Sequence, residues 1–373
     1  MRAMIVAGAR PNFMKVAPII RALRRCGHEP YLVHTGQHYD ARMSDAFFRD
    51  LGIPEPNAHL GVGSASHAQQ TARIMQQFEP VLLQERPDWV IVVGDVNSTL
   101  ACSLVAAKLR LETKSRIAHV EAGLRSRDWN MPEEINRVLT DQLSDLLLTP
   151  SHDARENLIG EGLGEQRIVF VGNVMIDTLR EQLPAARELN VPGELKLKKN
   201  GYVIATLHRP SNVDSADALR IILEGLRAVA EEMPVMMPLH PRTEATAKKF
   251  GLGELLSSIR IMEPQGYRSM LGLLDGAALA LTDSGGIQEE TTVLGVPCVT
   301  LREQTERPVT VSEGTNRLAP WPLTVAGIRT AARNALSTGR VEAFSKAPDG
   351  WDGKAAERIV NALARAWVSE PPT

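Results

Sequence analysis

Leu279-Ala280-Leu281-Thr282-Asp283-Ser284-Gly285-Gly286-Ile287-Gln288-Glu289-Glu290 joins a short apolar run to a helical pattern through a Thr-Asp-Ser-Gly-Gly turn. The physical reading is a strand, a tight glycine turn and a helix N-terminus. Glycine lets a backbone approach a ligand closely, and the unbonded N–H groups of a first helical turn favour an anion such as phosphate. Glu290 follows between one and two helical turns later, where a carboxylate could accept hydrogen bonds from sugar hydroxyls. The same residues also fit a plain connection, with the serine as helix cap and the glycines relieving strain. The rest of the chain decides between the two.

Working outward, the chain from Met1 repeats the alternation of strand and helix. Strands are expected at Met4–Gly8, Pro30–Thr35, Trp89–Val93, Ile117–Val120, Asp145–Thr149 and Val169–Val171, with helices between them at Phe13–Leu23, Ala41–Leu51, 67–85, Thr99–Leu109 and Glu133–Leu143. Beyond a Lys-rich, Pro/Gly-punctuated segment, strands are expected at Tyr202–Thr206, Val235–Leu239, Ile259–Ile261, Ala277–Leu281 and Pro297–Thr300. Helices near 214–232, 243–250, 266–275 and 286–294 separate these, and an amphipathic helix at Asp352–Val368 closes the chain. Polar residues follow directly on the strand ends, which is the doubly wound α/β pattern with ligands beyond the carboxyl ends of the strands. The division is placed at 1–172 and 173–355, with 356–373 as a C-terminal helix.

Length and composition agree. The 373 residues suit two domains, and 43% hydrophobic with 23% charged residues suits globular cores. A net charge of −2 and an aromatic content of 4% argue against a surface for nucleic acid. Cys26, Cys102 and Cys298 are widely spaced and odd in number, which fits free thiols in a reducing compartment and no zinc site. The first strand is too short for a signal peptide and no run is long enough to span a membrane, so a cytoplasmic location is expected. The first turn, Gly8-Ala9-Arg10-Pro11, lacks the later glycines of a dinucleotide fingerprint, which disfavours NAD; no cofactor and no metal are expected.

The strand ends carry the chemistry. Arg10 and Lys15 flank the first strand-to-helix turn, where cations oppose the helix dipole and so call for an anion. A diphosphate held between them and the turn at 284–286 would draw two domains together. Asp95 ends the third expected strand, Glu121 the fourth, and Glu133 opens the next helix. Any one of them has a structural excuse, as cap or dipole partner. Three carboxylates at one sheet rim can hold an acid and a base at the same pH. His208 and Arg209 follow the first strand of the second half, and His240-Pro241-Arg242 repeats the pattern one unit later, with His240 as a site-shaping residue. Catalytic Ser-His-Asp chemistry is not indicated, since no G-x-S-x-G elbow appears, and His34 and His38 are separated by Thr35-Gly36, which breaks any metal-binding helix face.

With Gly8-Ala9-Arg10-Pro11, Gly94-Asp95, His119-Val120-Glu121-Ala122-Gly123-Leu124-Arg125, Pro132-Glu133-Glu134-Ile135-Asn136-Arg137, Asp283 to Glu290 and Thr305-Glu306-Arg307-Pro308 in this order, the chain resembles the non-hydrolysing UDP-N-acetylglucosamine 2-epimerases from Met4 to about Leu318. The resemblance implies a GT-B fold: two Rossmann-like domains, an interdomain cleft, a C-terminal helix crossing back to the first domain, and a homodimer. It implies inversion at C2 of a UDP-sugar by loss and return of UDP through a glycal, a route that needs no NAD, and a place in supplying nucleotide sugar for cell-surface polysaccharide. Asp95, Glu121 and Glu133 match its acid/base carboxylates, and His208 the support of the departing diphosphate. Arg10, Lys15, Ser284, Gly285, Gly286, Glu290 and Arg307 match its UDP contacts, with Glu290 on the ribose. Two stretches depart from the pattern. His208 is followed by Arg-Pro-Ser-Asn-Val-Asp, where many members carry a second Arg and then an acid. Gln37-His38-Tyr39-Asp40 keeps half of a two-glutamine regulatory pattern, which leaves Gln37 and Arg73 as candidates for a regulatory site. The alternatives are a hydrolysing relative releasing free ManNAc, an epimerase of a diacetamido-uronic UDP-sugar, a glycosyltransferase on the same fold, and a non-catalytic nucleotide-sugar sensor.

Overall fold

A computed structural model describes residues 1–37, 50–239 and 241–369. The helix expected at Ala41–Leu51 lies largely outside the described residues, and so do His38 and His240. The chain forms two compact units, one of Met1–Arg180 with Asp349–Thr373 and the other of Glu181–Pro348.

The first unit is built on β1 (Arg2–Ala7), β2 (Glu29–His34), β3 (Ala58–His59), β4 (Trp89–Val93), β5 (Arg116–Val120), β6 (Leu146–Thr149) and β7 (Ile168–Phe170). All pair in parallel, in the order β3-β2-β1-β4-β5-β6-β7. Helices α1 (Arg10–Arg25), α2 (His67–Glu85), α3 (Asn97–Lys108), α4 (Pro132–Leu143), α5 (His152–Gly160) and the start of α6 (Val174–Leu189) supply the crossovers. Buried on both faces, the central strands are continuous apolar runs, as Trp89-Val90-Ile91-Val92-Val93 shows. Val90 and Val92 on one face meet Phe78 and Leu82 of α2 and Ala101 and Val105 of α3. The Ser66 side chain accepts from Gln69 N and starts α2.

The second unit repeats the scheme with β8 (Val203–Thr206), β9 (Val235–Pro238), β10 (Arg260–Met262), β11 (Leu279–Thr282), β12 (Cys298–Thr300) and β13 (Asn316–Leu318). Their order is β10-β9-β8-β11-β12-β13, again parallel. The helices are α7 (Ala216–Ala230), α8 (Pro241–Lys249), α9 (Tyr267–Gly276), α10 (Gly285–Leu294) and α11 (Val325–Thr338). Ile222 and Leu226 of α7 and Ile328 of α11 pack with Val203, Leu279 and Leu281. Both sheets reverse direction beside their first strand, between β1 and β4 and between β8 and β11. Those are the switch points where doubly wound sheets bind ligands. Two doubly wound α/β units of this order make the fold GT-B.

Two strands, β3 and β13, were not expected from sequence; at two and three residues they are too short for a periodic signal. The two units divide inside α6, between Arg180 and Glu181. The last helix, α12 (Ala355–Ser369), belongs to the first unit and packs on α1. Trp351 is 1% exposed, and its indole N–H donates to Pro150 O at 2.9 Å. Asp177 accepts the N–H groups of Ala355 and Ala356 at 3.1 and 2.8 Å, so a side chain of α6 caps α12. Among the described residues no helix is long and apolar enough to cross a membrane.

Candidate active site

At the rim of the first sheet, β4 ends in Gly94-Asp95 and β5 in Glu121. Asp95 Oδ2 accepts from Arg137 Nε and Nη2 at 3.0 and 2.7 Å, and Asn136 Nδ2 holds the Asp95 carbonyl at 2.9 Å. Arg137 is 2% exposed and also binds Glu134. Glu134 is buried and accepts the backbone N–H groups of Ser126 and Arg127 at 2.9 and 2.7 Å. Glu134 is therefore a brace, tying the loop before α4 to the arginine that holds Asp95. Glu133, its neighbour on the helix, is half-buried. Among the described residues its carboxylate has neither an ion-pair nor a hydrogen-bond partner, so it stays available.

Glu121 is 4% exposed, and its backbone has φ +71°, a left-handed conformation unusual for a side chain with a Cβ. Its Oε2 meets the Lys15 ammonium in a short buried ion pair, while Oε1 is buried and has no hydrogen-bond partner among the described residues. Lys15 reaches it from the second turn of α1, across Gly94. A Cβ on Gly94 would lie 2.9 Å from Lys15 Nζ and 3.4 Å from Glu121 Oε2, at φ +65°. Only glycine fits there.

Beneath these groups lies a buried set that sequence reasoning missed. His119 Nδ1 contacts Asp141 Oδ1 at 2.6 Å, and Nε2 contacts Gly94 O at 2.8 Å. Asp141 also accepts from Gly123 N at 3.1 Å and pairs with Arg125 at 2.7 Å. Burial would push the Asp141 carboxyl up, but His119 and Arg125 outweigh burial and hold it below the ordinary carboxylate range. This set joins the loops bearing Asp95 and Glu121 to α4. Its sequence signal was the row Glu134, Arg137, Asp141 at helical spacing on one face of α4.

Arg10 opens α1, and its side chain is not described. Gln37 is 5% exposed; its Oε1 accepts from Ser98 N and Oγ at 3.1 and 2.8 Å, and its carbonyl from Gln70 Nε2 at 3.1 Å. Arg73 is exposed on α2.

In the second unit, Asp283 is fully buried at the end of β11 and accepts from the backbone of His208 and Arg209, from Asn212 Nδ2 and from His208 Nδ1, the last at 2.8 Å. A carboxylate only accepts, so Nδ1 carries the proton and Nε2 is turned outward on a side chain that is 56% exposed. Burial raises the Asp283 carboxyl, yet His208 and the surrounding donors hold it below its usual range. Ser284 is the N-cap of α10 but its hydroxyl makes no capping bond. The first N–H groups of that helix therefore keep their capacity for an anion.

Arg307 lies flat against Gly285, where a Cβ would stand 2.8 Å from the guanidinium carbon. Glu289 holds Arg307 Nε at 2.7 Å. Glu306, fully buried, gathers Arg302 at 2.8 Å, Arg209 at 3.3 Å and Arg307 at 3.7 Å. Gly286 and Glu290 continue α10. Burial pushes the Glu290 carboxyl up to about 7; Glu289 adds to the rise and the Tyr267 hydroxyl offsets part of it.

The family model of the UDP-N-acetylglucosamine 2-epimerases matches residues 21–364. The chain belongs to that family. The UDP-N-acetylglucosamine 2-epimerase of Methanocaldococcus jannaschii is 45% identical over 326 residues, covering 85% of this chain and 88% of that protein. The UDP-2,3-diacetamido-2,3-dideoxy-D-glucuronate 2-epimerase of Pseudomonas aeruginosa is 40% identical, covering 98% of this chain and all of that one. The crystal structure of the M. jannaschii UDP-GlcNAc 2-epimerase in complex with UDP-GlcNAc and UDP superimposes with a TM-score of 0.89 at 41% identity, covering 98% of this chain and 100% of that chain. The chain is thus an epimerase-family enzyme on the GT-B fold.

Proposed function

We propose that this enzyme interconverts UDP-N-acetylglucosamine and UDP-N-acetylmannosamine by reversible inversion at C2. The observation that carries the reading is the group Asp95, Glu121 and Glu133 at neighbouring strand and helix ends, two of them held by buried cations. The C2 proton is not adjacent to a carbonyl, so its removal must be coupled to loss of a leaving group. A carboxylate takes the proton, the C2–H electrons form a C1–C2 double bond, and the C1–O bond breaks onto the β-phosphate of UDP. Reversal, with a proton delivered to the opposite face of C2 and UDP returning to C1, gives the epimer. His208, oriented by Asp283, supports the departing diphosphate. Gly285, Gly286 and Arg307, with the first turn of α10, bind the phosphates, and Glu290 accepts the ribose hydroxyls. Arg10 and His240 complete the substrate contacts, and Gln37 and Arg73 are the candidates for any regulatory site. The enzyme works as a homodimer, which sedimentation would check.

In D2O, UDP-GlcNAc is expected to gain deuterium at C2 in both epimers while no free ManNAc accumulates. Asp95→Asn should lower this wash-in by about a hundredfold or more with UDP binding retained. No deuterium at C2 with the wild type would reject the mechanism, and free ManNAc appearing with UDP would mark a hydrolysing enzyme. The similarity to the diacetamido-glucuronate epimerase over 98% of the chain favours a second reading, in which the sugar is a modified uronic acid. Comparing kcat/KM for the two UDP-sugars decides between them.

A further inference from the structure

Lys15 matched the UDP contacts by sequence, but its ammonium is committed elsewhere. It is 6% exposed and ion-paired to Glu121 Oε2, with Glu121 itself 4% exposed. Three features make this an arrangement built around Glu121. The Glu121 backbone is held at φ +71°. Gly94 leaves room for the ammonium to cross, since any Cβ there would collide with it at 2.9 Å. The first turn of α1 is anchored by Asn12, whose Oδ1 accepts Gly8 N and Ala9 N at 3.0 and 2.9 Å and whose Nδ2 donates to Val93 O at 3.2 Å. Lys15 projects from the same helix face one turn later.

We propose that Lys15 is a positioning residue that acts on the reaction through Glu121 rather than a ligand of the diphosphate. By occupying Oε2 it orients the carboxylate and leaves Oε1, buried and without a hydrogen-bond partner among the described residues, as the oxygen that exchanges the C2 proton. The C2–H bond breaks as the O–H bond forms at Oε1, and the electron pair passes into the glycal double bond as UDP leaves. The assignment rests on the epimerase reading above.

The test is a cycle of Lys15→Met, Glu121→Gln and the double variant, read by C2 deuterium wash-in and by UDP affinity from calorimetry, with melting curves alongside. Lys15→Met strands a buried carboxylate and should melt early; the double variant buries no unpaired charge and keeps the comparison available. The assignment expects Lys15→Met and Glu121→Gln each to slow wash-in by about a hundredfold. It expects UDP affinity to change by less than about threefold in every variant, and the double variant to be no more than about threefold slower than Glu121→Gln. A tenfold or greater loss of UDP affinity in the double variant would make Lys15 a phosphate ligand and overturn the assignment. So would losses of wash-in that multiply in the double variant. Absence of wash-in by the wild type would instead remove the epimerase reading and this assignment with it.

Discussion

Gly285 and Arg307 show at the scale of single residues why one atom decides a binding surface. The guanidinium rests on bare backbone, 2.8 Å from where a Cβ would stand, and Glu289 prevents it from moving away freely. Gly285→Ala should therefore shift Arg307 and weaken UDP binding by about tenfold, in line with the ~1–3 kcal/mol of a charge-assisted hydrogen bond. Calorimetric titration with UDP checks this, with the melting temperature expected to change little. The glycine turn itself was legible in sequence, because Thr-Asp-Ser-Gly-Gly after an apolar run and before a helical pattern marks a strand-to-helix turn. That Asp283 orients His208 was not, since the two lie 75 positions apart and meet only through the pairing of β8 with β11.

At the scale of elements, α12 depends on a carboxylate from another helix. Asp177 is buried and its carboxyl is pushed up to about 6, burial outweighing the two N–H groups it accepts. A carboxyl raised in the folded state holds its proton while the unfolded chain loses its own. Stability from this group is thus greatest below the ordinary carboxylate range and declines as pH rises toward 6. The loss amounts to about 2–3 kcal/mol at roughly 1.4 kcal/mol per unit. Asp177→Asn should flatten the fall in urea-unfolding free energy between pH 4 and pH 6 relative to wild type. Helix α4 illustrates a different limit on sequence reading. It buries Glu134, Asn136, Arg137, Thr140 and Asp141 and exposes Ile135 and Leu139, at 38% and 45%. Its existence was clear from Pro132 and the acidic first turn, but an inward polar face follows from the partners it meets, Asp95 just after β4, His119 on β5 and Arg125 beyond it, not from hydropathy.

For the whole molecule, the order of the chain differs from the order of its compact units, because Asp349–Thr373 belong with the first. Ile359, Val360 and Leu363 of α12 are at most 1% exposed, and each such side chain contributes roughly 1.5–3 kcal/mol of burial. A fragment of residues 1–180 should therefore remain unfolded or aggregate, while the same fragment joined through a flexible linker to residues 349–373 should melt cooperatively. Circular dichroism melting curves of the two proteins provide the comparison. Equal stability without the C-terminal segment would mean that α12 adds little to the unit.

The alternation of apolar runs with helical periodicity, and the polar residues placed just after the runs, determined the doubly wound class and the positions of Asp95, Glu121, Glu133, His208 and Ser284. These are local properties, written within a few residues of each strand end. Tertiary structure alone decided which charges meet: Lys15 with Glu121, Arg137 with Asp95, His119 with Asp141, and Glu306 with its arginines. Each of these pairs joins residues on different elements or across a turn. An ion pair's partner is chosen by the register of parallel strands and the crossing of helices, which no local spacing encodes. A buried charge must then find its counter-charge wherever the fold has placed it.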